Sequence, residues 1–112
     1  MRRGEVWWAE LPEPAASEPG YRRPVFIVQS DDFNRSRIHT VVAVVLTTNL
    51  RLAGAPDNVQ VSKEDTALSR DSVANVSQII TLDKTFLTER VSRISDRIMM
   101  SVEEGLRTVL AL

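Results

Sequence analysis

The spacing of apolar residues changes character at Ser95. Before it, hydrophobic positions come in short runs or alternate with polar ones, the period of strands. After it they recur every three or four residues, the period of a helix. "EVWWAEL" (5–11) reads as a first strand. "LPEPAASEPGY" (11–21) carries three prolines and a glycine and reads as a long loop. "PVFIVQ" (24–29) is a continuous apolar run that predicts a strand covered on both faces, with Pro24 at its first position, where a missing N–H costs little. "SDDFNRSR" (30–37) is polar and turn-forming. "TVVAVVLTT" (40–48) is β-branched almost throughout and gives the strongest strand signal. "NLRLAGAPD" (49–57) reads as a loop and "NVQVS" (58–62) as an edge or meander strand. In "DSVANVSQIITLD" (71–83), alternation puts Val73, Asn75 and Ser77 on one side and Ser72, Ala74, Val76 and Gln78 on the other. "KTFLTERV" (84–91) reads as a helical turn.

From Ser95 on, Ile98, Val102, Leu106 and Val109 share a helical face, with Met99 and Leu110 beside it. Ser95 suits the N-cap, and Asp96 the positive end of the helix dipole. Glu103 and Arg107 are spaced four apart on the polar side. Gly105 lowers helix propensity, so this helix must be stabilised by packing. The predicted architecture is a small antiparallel β-barrel or curled sheet with a C-terminal helix packed on it, in one domain over 1–112.

Composition narrows the function. With 43% hydrophobic and 26% charged residues, the chain is an ordinary globular protein rather than a disordered one. The net charge of -1 gives no global basic field, so any polyanion must be bound by a local cluster. The chain has no cysteine, which removes disulfides, thiolate metal sites and cysteine nucleophiles together and fits a cytoplasmic home. The opening "MRR" imitates a signal peptide, but Glu5 and Glu10 interrupt the apolar stretch that one needs. No apolar run approaches the ~20 residues of a membrane span.

Elimination then leaves arginines and hydroxyls. His39 is the only histidine, so no two-histidine acid–base pair exists, and its polar setting suits a surface or strand-end position. The four glycines are scattered singly, with no phosphate loop, and the carboxylates show no metal-cage spacing; no cofactor or metal is expected. Arg22 and Arg23 stand before Pro24, Thr47 and Thr48 end the β-branched run, and Ser72 opens the next strand. If consecutive strands pair antiparallel, the start of one lies beside the end of the other, which brings Arg23 near Thr47. A planar guanidinium fork and a hydroxyl at one sheet end form a receptor for phosphate. The other reading is a salt bridge from Arg22 or Arg23 to a loop glutamate, with Thr47 a mere strand former. Trp7 and Trp8 point to opposite faces, one to the core and one near the surface; Tyr21 and Phe33 lie on loops, where a base can stack.

Five ordered segments together resemble the MazF/PemK family of toxin endoribonucleases: "RGEVWWAELPEP" (3–14), "SEPGYRRPVFIVQSD" (17–31), "VVAVVLTTN" (41–49), "RDSVANVSQIITLDK" (70–84) and "LTERV" (87–91). The resemblance implies an SH3-like antiparallel barrel with a C-terminal helix. It implies a homodimer that cuts single-stranded RNA at short sequences without metal, leaving a 2′,3′-cyclic phosphate and a 5′-hydroxyl, and a cognate antitoxin that silences it. It makes Arg23, directly before the proline of R-P-V, the catalytic arginine, and Thr47, at the end of the aliphatic run, the catalytic threonine, with Thr48 its adjacent competitor. Glu18 matches the family's loop glutamate, a proton-transfer or positioning candidate; Arg22 is a phosphate contact or a salt-bridge partner. Tyr21, Ser72 of D-S-V and Gln78 of the following Q-I pair are expected to touch RNA. Arg22, Arg23, Arg35 and Arg37 are expected to cluster around two loops, and an acidic antitoxin tail to bind across the first of them. A topoisomerase-poisoning toxin of the same fold is the rival; that class carries a tryptophan near its C-terminus, whereas this chain ends "RTVLAL".

Overall fold

The computed structural model describes residues 1–11 and 21–112. Six strands form one antiparallel sheet: β1 (Glu5–Leu11), β2 (Tyr21–Ile27), β3 (Thr40–Thr47), β4 (Val59–Val61), β5 (Ser72–Asp83) and β6 (Leu87–Arg93). Their order across the sheet is β4-β5-β3-β2-β1-β6, so the first strand is completed by the last. The sheet curls because its ladders slip: β3 and β5 shift register between Val44 and Val45, and β1 shifts twice against β6. Each extra residue bends its strand and increases the local twist. The result is a curled sheet in place of a flat one, as the strand pattern predicts.

The two faces of the sheet bury different residues. On one, Val6, Phe26, Val44, Leu46 and Val76 pack under the C-terminal helix α1 (Asp96–Leu110), which contributes Ile98, Met99 and Val102. On the other, Ala9, Val25, Ile27, Val41, Ala43 and Leu82 pack together, with Met1, Trp7, Ile80 and Leu87 against them. The helix begins as predicted: Ser95 is its N-cap, and the Ser95 side chain accepts from the Ile98 N–H.

Gly105 is the point of closest approach. A Cβ there would lie 2.5 Å from the backbone oxygen of Asp57 and 3.0 Å from a methyl of Val76. The glycine that weakens the helix in isolation is what lets it seat on the sheet. Glu103 does not pair with Arg107 as its spacing suggests; it meets Arg3 at 3.5 Å, an ion pair that ties the helix to the start of the chain.

Several boundaries differ from the sequence reading. β2 starts at Tyr21, so Pro24 lies inside it, opposite Trp8 of β1. It is tolerated because the pairing of β2 with β3 begins only at Val25↔Val45, leaving residues 21–24 paired to β1 alone. In 84–91 only Lys84–Phe86 turns, as a 3₁₀ segment capped by Asp83; Leu87–Arg93 is strand β6, at the sheet edge. An edge strand with one solvated side needs no apolar alternation, so its polar sequence hides it. The polar stretch at 30–37 holds one helical turn, Asp31–Asn34, capped by Ser30.

A buried carboxylate anchors the start of the sheet. Glu5 accepts hydrogen bonds from the Arg2 N–H (2.7 Å), Trp7 Nε1 (3.1 Å) and Arg90 Nε (2.6 Å). Burial works to raise its pKa, but the bonds from Arg90, Trp7 and Arg2, with the Arg90 charge, outweigh burial and hold the carboxyl below its ordinary value.

Candidate functional site

The site grows from one end of the sheet, where β2 begins and β3 ends. The strand register pairs Ala9 with Arg23, Val25 with Val45, and Thr47 with Val73. Continued two residues beyond Val25↔Val45, the antiparallel register of β2 and β3 sets Arg23 opposite Thr47. Both then share the sheet face of Ala9 and Val25. Arg23 is exposed and Thr47 half-buried. Thr47 Oγ1 accepts from the Asn49 N–H at 3.2 Å, which fixes the threonine where the strand turns away. A hydroxyl can still donate while accepting, so this bond leaves Thr47 a proton for a phosphate oxygen.

Arg22 and Thr48 belong to the opposite face. There the Arg22 guanidinium lies 4.1 Å from the ring centre of Trp8, and its Nη2 meets Glu89 at 3.2 Å. The salt-bridge reading is therefore correct for Arg22, though the glutamate comes from β6 and not from a loop. Among the described residues no ion pair involves Arg23. Trp7 and Trp8 do split between the faces, yet neither is fully buried: Trp7 packs beside the second core cluster and Trp8 lies under Arg22.

A cavity of about 210 Å³ opens on the Trp8 face. Trp8, Pro24, Leu46 and Leu68 give it apolar walls, and Arg22, Arg23, Arg70, Thr48, Ser69 and Ser72 also border it. Arg70 and Ser69 had no signal in the sequence beyond standing next to D-S-V; they arrive because the segment before β5 folds back over the start of β2. Ser72 is fully buried, and its Oγ has no hydrogen-bond partner among the described residues.

The remaining candidates scatter. Tyr21 opens β2 at a left-handed φ of 58° and is 63% exposed, so its ring stands in solvent beside the two arginines. Gln78 is not among the cavity residues: it sits past Asn75 on β5, where its Oε1 accepts from Asn75 Nδ2 at 3.0 Å beside the register shift. Glu18 lies outside the described residues. Phe33 is exposed on the helical turn after β2. The expected cluster of four arginines does not form. Arg22 and Arg23 start β2, whereas Arg35 and Arg37 follow its far end, which lies about 13 Å from Arg23 at strand rise; Arg35 pairs with Asp32 at 2.8 Å. Arg70 takes their place as the third guanidinium near the site.

Among the described residues, no group of three or more His, Cys, Asp or Glu side chains could hold a metal ion, and no helix is long and apolar enough to cross a membrane. The arrangement offers guanidinium forks, hydroxyl donors and an aromatic wall, the chemistry that receives a phosphodiester and its base.

Known proteins match this chain over its whole length. It is 49% identical to Endoribonuclease MazF6 of Mycobacterium tuberculosis over 112 residues, covering 100% of this chain and 98% of that protein. It is 36% identical to Endoribonuclease EndoA of Bacillus subtilis over 112 residues, covering 100% and 96%. A mycobacterial endoribonuclease solved in complex with its cognate antitoxin superposes with a TM-score of 0.80 at 28% identity, covering 100% of this chain and 96% of that one. MazF from Deinococcus radiodurans shares the fold at a TM-score of 0.82 and 19% identity, covering 100% and 97%. The family model for the PemK-like, MazF-like toxin of type II toxin–antitoxin systems matches residues 2–110. With the fold and these matches in agreement, the chain belongs to the PemK-like, MazF-like toxin family.

Proposed function

We propose that this protein is the toxin of a type II toxin–antitoxin system, an endoribonuclease that cuts single-stranded RNA at short sequences and so inhibits translation. The full-length identity to proteins named endoribonucleases carries this reading. It also disfavours the topoisomerase-poisoning alternative.

In this reading the nucleophile is the RNA's own 2′-hydroxyl. It attacks the adjacent phosphorus, the P–O5′ bond breaks, and the products are a 2′,3′-cyclic phosphate and a 5′-hydroxyl. The 2′-oxygen loses a proton and the 5′-oxygen gains one. Arg23 stabilises the charge that builds on the phosphorane, and Thr47 holds a nonbridging oxygen so that attack is in line. Arginine stays charged, with a pKa above ~12, so Arg23 is an electrostatic group and not the base. Arg22, pinned by Trp8 and Glu89, is a wall of the site. Tyr21, exposed at its mouth, offers a stacking surface. Glu18 and Gln78 are assigned to positioning RNA on the resemblance alone. The enzyme acts as a cytoplasmic homodimer, and a cognate antitoxin inhibits it by binding; a similar mycobacterial endoribonuclease has been solved in complex with its own cognate antitoxin.

The experiment is cleavage of a defined single-stranded RNA with end-group analysis, in the presence and absence of EDTA. Cyclic-phosphate and 5′-hydroxyl ends with EDTA-insensitive rates are expected. Ends bearing 5′-phosphate, or a rate abolished by EDTA and restored by Mg²⁺, would refute the mechanism.

A further inference from the structure

Arg22, Arg23 and Arg70 border one cavity, and among the described residues only Arg22 of the three has a carboxylate partner. That partner is not the nearest one in the sheet. Glu10 stands directly opposite Arg22 in the β1–β2 register, yet among the described residues no ion pair joins them. Arg22 crosses β1 instead. Its guanidinium lies over the Trp8 ring, 4.1 Å from the ring centre, and its Nη2 reaches Glu89 Oε2 on β6 at 3.2 Å. Glu89 is the register partner of Trp8 and does not border the cavity. The pair therefore draws the guanidinium towards β6, away from Leu46 and Thr48, which border the cavity from the β3 side. Both side chains are well exposed, at 47% for Arg22 and 65% for Glu89. An ion pair so open to water is weak and exchangeable. A phosphate offers the same guanidinium a charged and bidentate partner.

We propose that Glu89 is an internal competitor of RNA for Arg22. In the free protein its carboxylate neutralises this guanidinium and holds it over β1. When RNA binds, a backbone phosphate displaces the carboxylate, and the guanidinium turns from β6 to the bound strand. Glu89 thus lowers the affinity for RNA without touching it; it is a positioning residue that acts through Arg22. The inference rests on the ribonuclease reading and deepens it. Arg23 and Thr47 serve the phosphate that is cut, Arg22 serves a neighbouring one, and Glu89 sets how tightly the strand is held.

The test is the Kd of a single-stranded RNA that the wild type cuts, made noncleavable by 2′-fluoro substitution and titrated over a range of salt. The proteins are wild type, Glu89→Gln, Glu10→Gln, Arg22→Ala and the double variant Glu89→Gln/Arg22→Ala. Each change replaces an exposed side chain, and melting temperatures verify that the fold is kept. Glu89→Gln should bind about three- to fivefold more tightly at low salt, the worth of an exposed ion pair that RNA no longer has to break. Its affinity should also fall more steeply with salt, because in wild type the freed carboxylate takes up cations as the RNA sheds them. Arg22→Ala should bind more weakly, and in its background Glu89→Gln should change Kd by less than about twofold, since the two effects share one contact. Glu10→Gln removes an equal charge from beside Arg22 but breaks no ion pair, so it should leave Kd nearly as it is. A Glu89→Gln protein that binds no more tightly than wild type overturns the competition. So does a gain that persists without Arg22 or that Glu10→Gln matches. Each of these outcomes leaves the ribonuclease reading intact. A wild type that cuts no RNA removes that reading and the inference with it.

Discussion

Adjacent residues do different work at this site because a strand sends neighbours to opposite faces. Arg23 shares a face with Ala9 and, by register, with Thr47, whereas Arg22 is stacked on Trp8 and paired to Glu89. Arg23→Ala is therefore expected to leave a folded protein whose RNA cleavage falls ~10²-fold or more, the cost of one preorganised charge stabiliser. Thr47→Ala should be more damaging than Thr48→Ala in the same single-turnover assay; the reverse order would move the catalytic hydroxyl to the Trp8 face. Glu5 gives a residue-scale prediction of another kind. Its folded pKa is depressed, so its stabilisation is present above the ordinary value of 4.5 and is lost as pH falls through the folded one. Glu5→Gln should lower urea stability by about 2 kcal/mol at pH 7, since it removes charge-assisted bonds to Arg90, Trp7 and Arg2. The gap from wild type should narrow in acid, and a gap independent of pH would show that the carboxylate charge is irrelevant.

Elements were legible in proportion to how much apolar surface they bury. The C-terminal helix announces itself by period and cap, and β3 by its unbroken β-branched run. β6 does not, because its edge position lets "LTERVSR" stay polar, and only its pairing with β1 reveals it. The pairing of β2 with β3, on which the expected nearness of Arg23 and Thr47 rests, was legible because strands joined in sequence tend to pair. Ser72 was legible as a site residue at the start of its strand, but Arg70 was not, because it reaches the cavity from the segment before β5, which leaves no periodic trace. Gly105 was legible as a weakness and illegible as a fit: nothing in the sequence says that Asp57 lies above it. Gly105→Ala tests the fit. Alanine raises helix propensity by ~1 kcal/mol, but its Cβ would fall 2.5 Å from a backbone oxygen that cannot swing aside. Overpacking of this kind costs about 1–3 kcal/mol, so the net effect should be a lowered melting temperature. A raised one would mean that the helix shifts freely on the sheet.

At the scale of the whole molecule, a net charge of -1 does not preclude a basic site, because Arg22, Arg23 and Arg70 border one cavity and, among the described residues, only Arg22 of the three is ion-paired. One local surface can then attract both RNA and an acidic antitoxin tail. With the Arg23→Ala protein and a noncleavable RNA, antitoxin is expected to displace RNA competitively. Both affinities should fall as salt rises. Simultaneous binding without mutual loss of affinity would place the antitoxin elsewhere.

The sheet order carries a consequence for when this protein becomes itself. β1 lies between β2 and β6, and α1 covers the apolar face that holds Val6, Phe26 and Val44. The earliest strand therefore waits for the latest, and a nascent chain that has already exposed Arg23 and Thr47 still lacks the pieces that close its core. Contacts so distant along the chain form late and slowly. The sheet and its helical cover are therefore complete only once residues 87–110 have emerged, and a product truncated before them would carry Arg23 and Thr47 without the strand and helix that close the core.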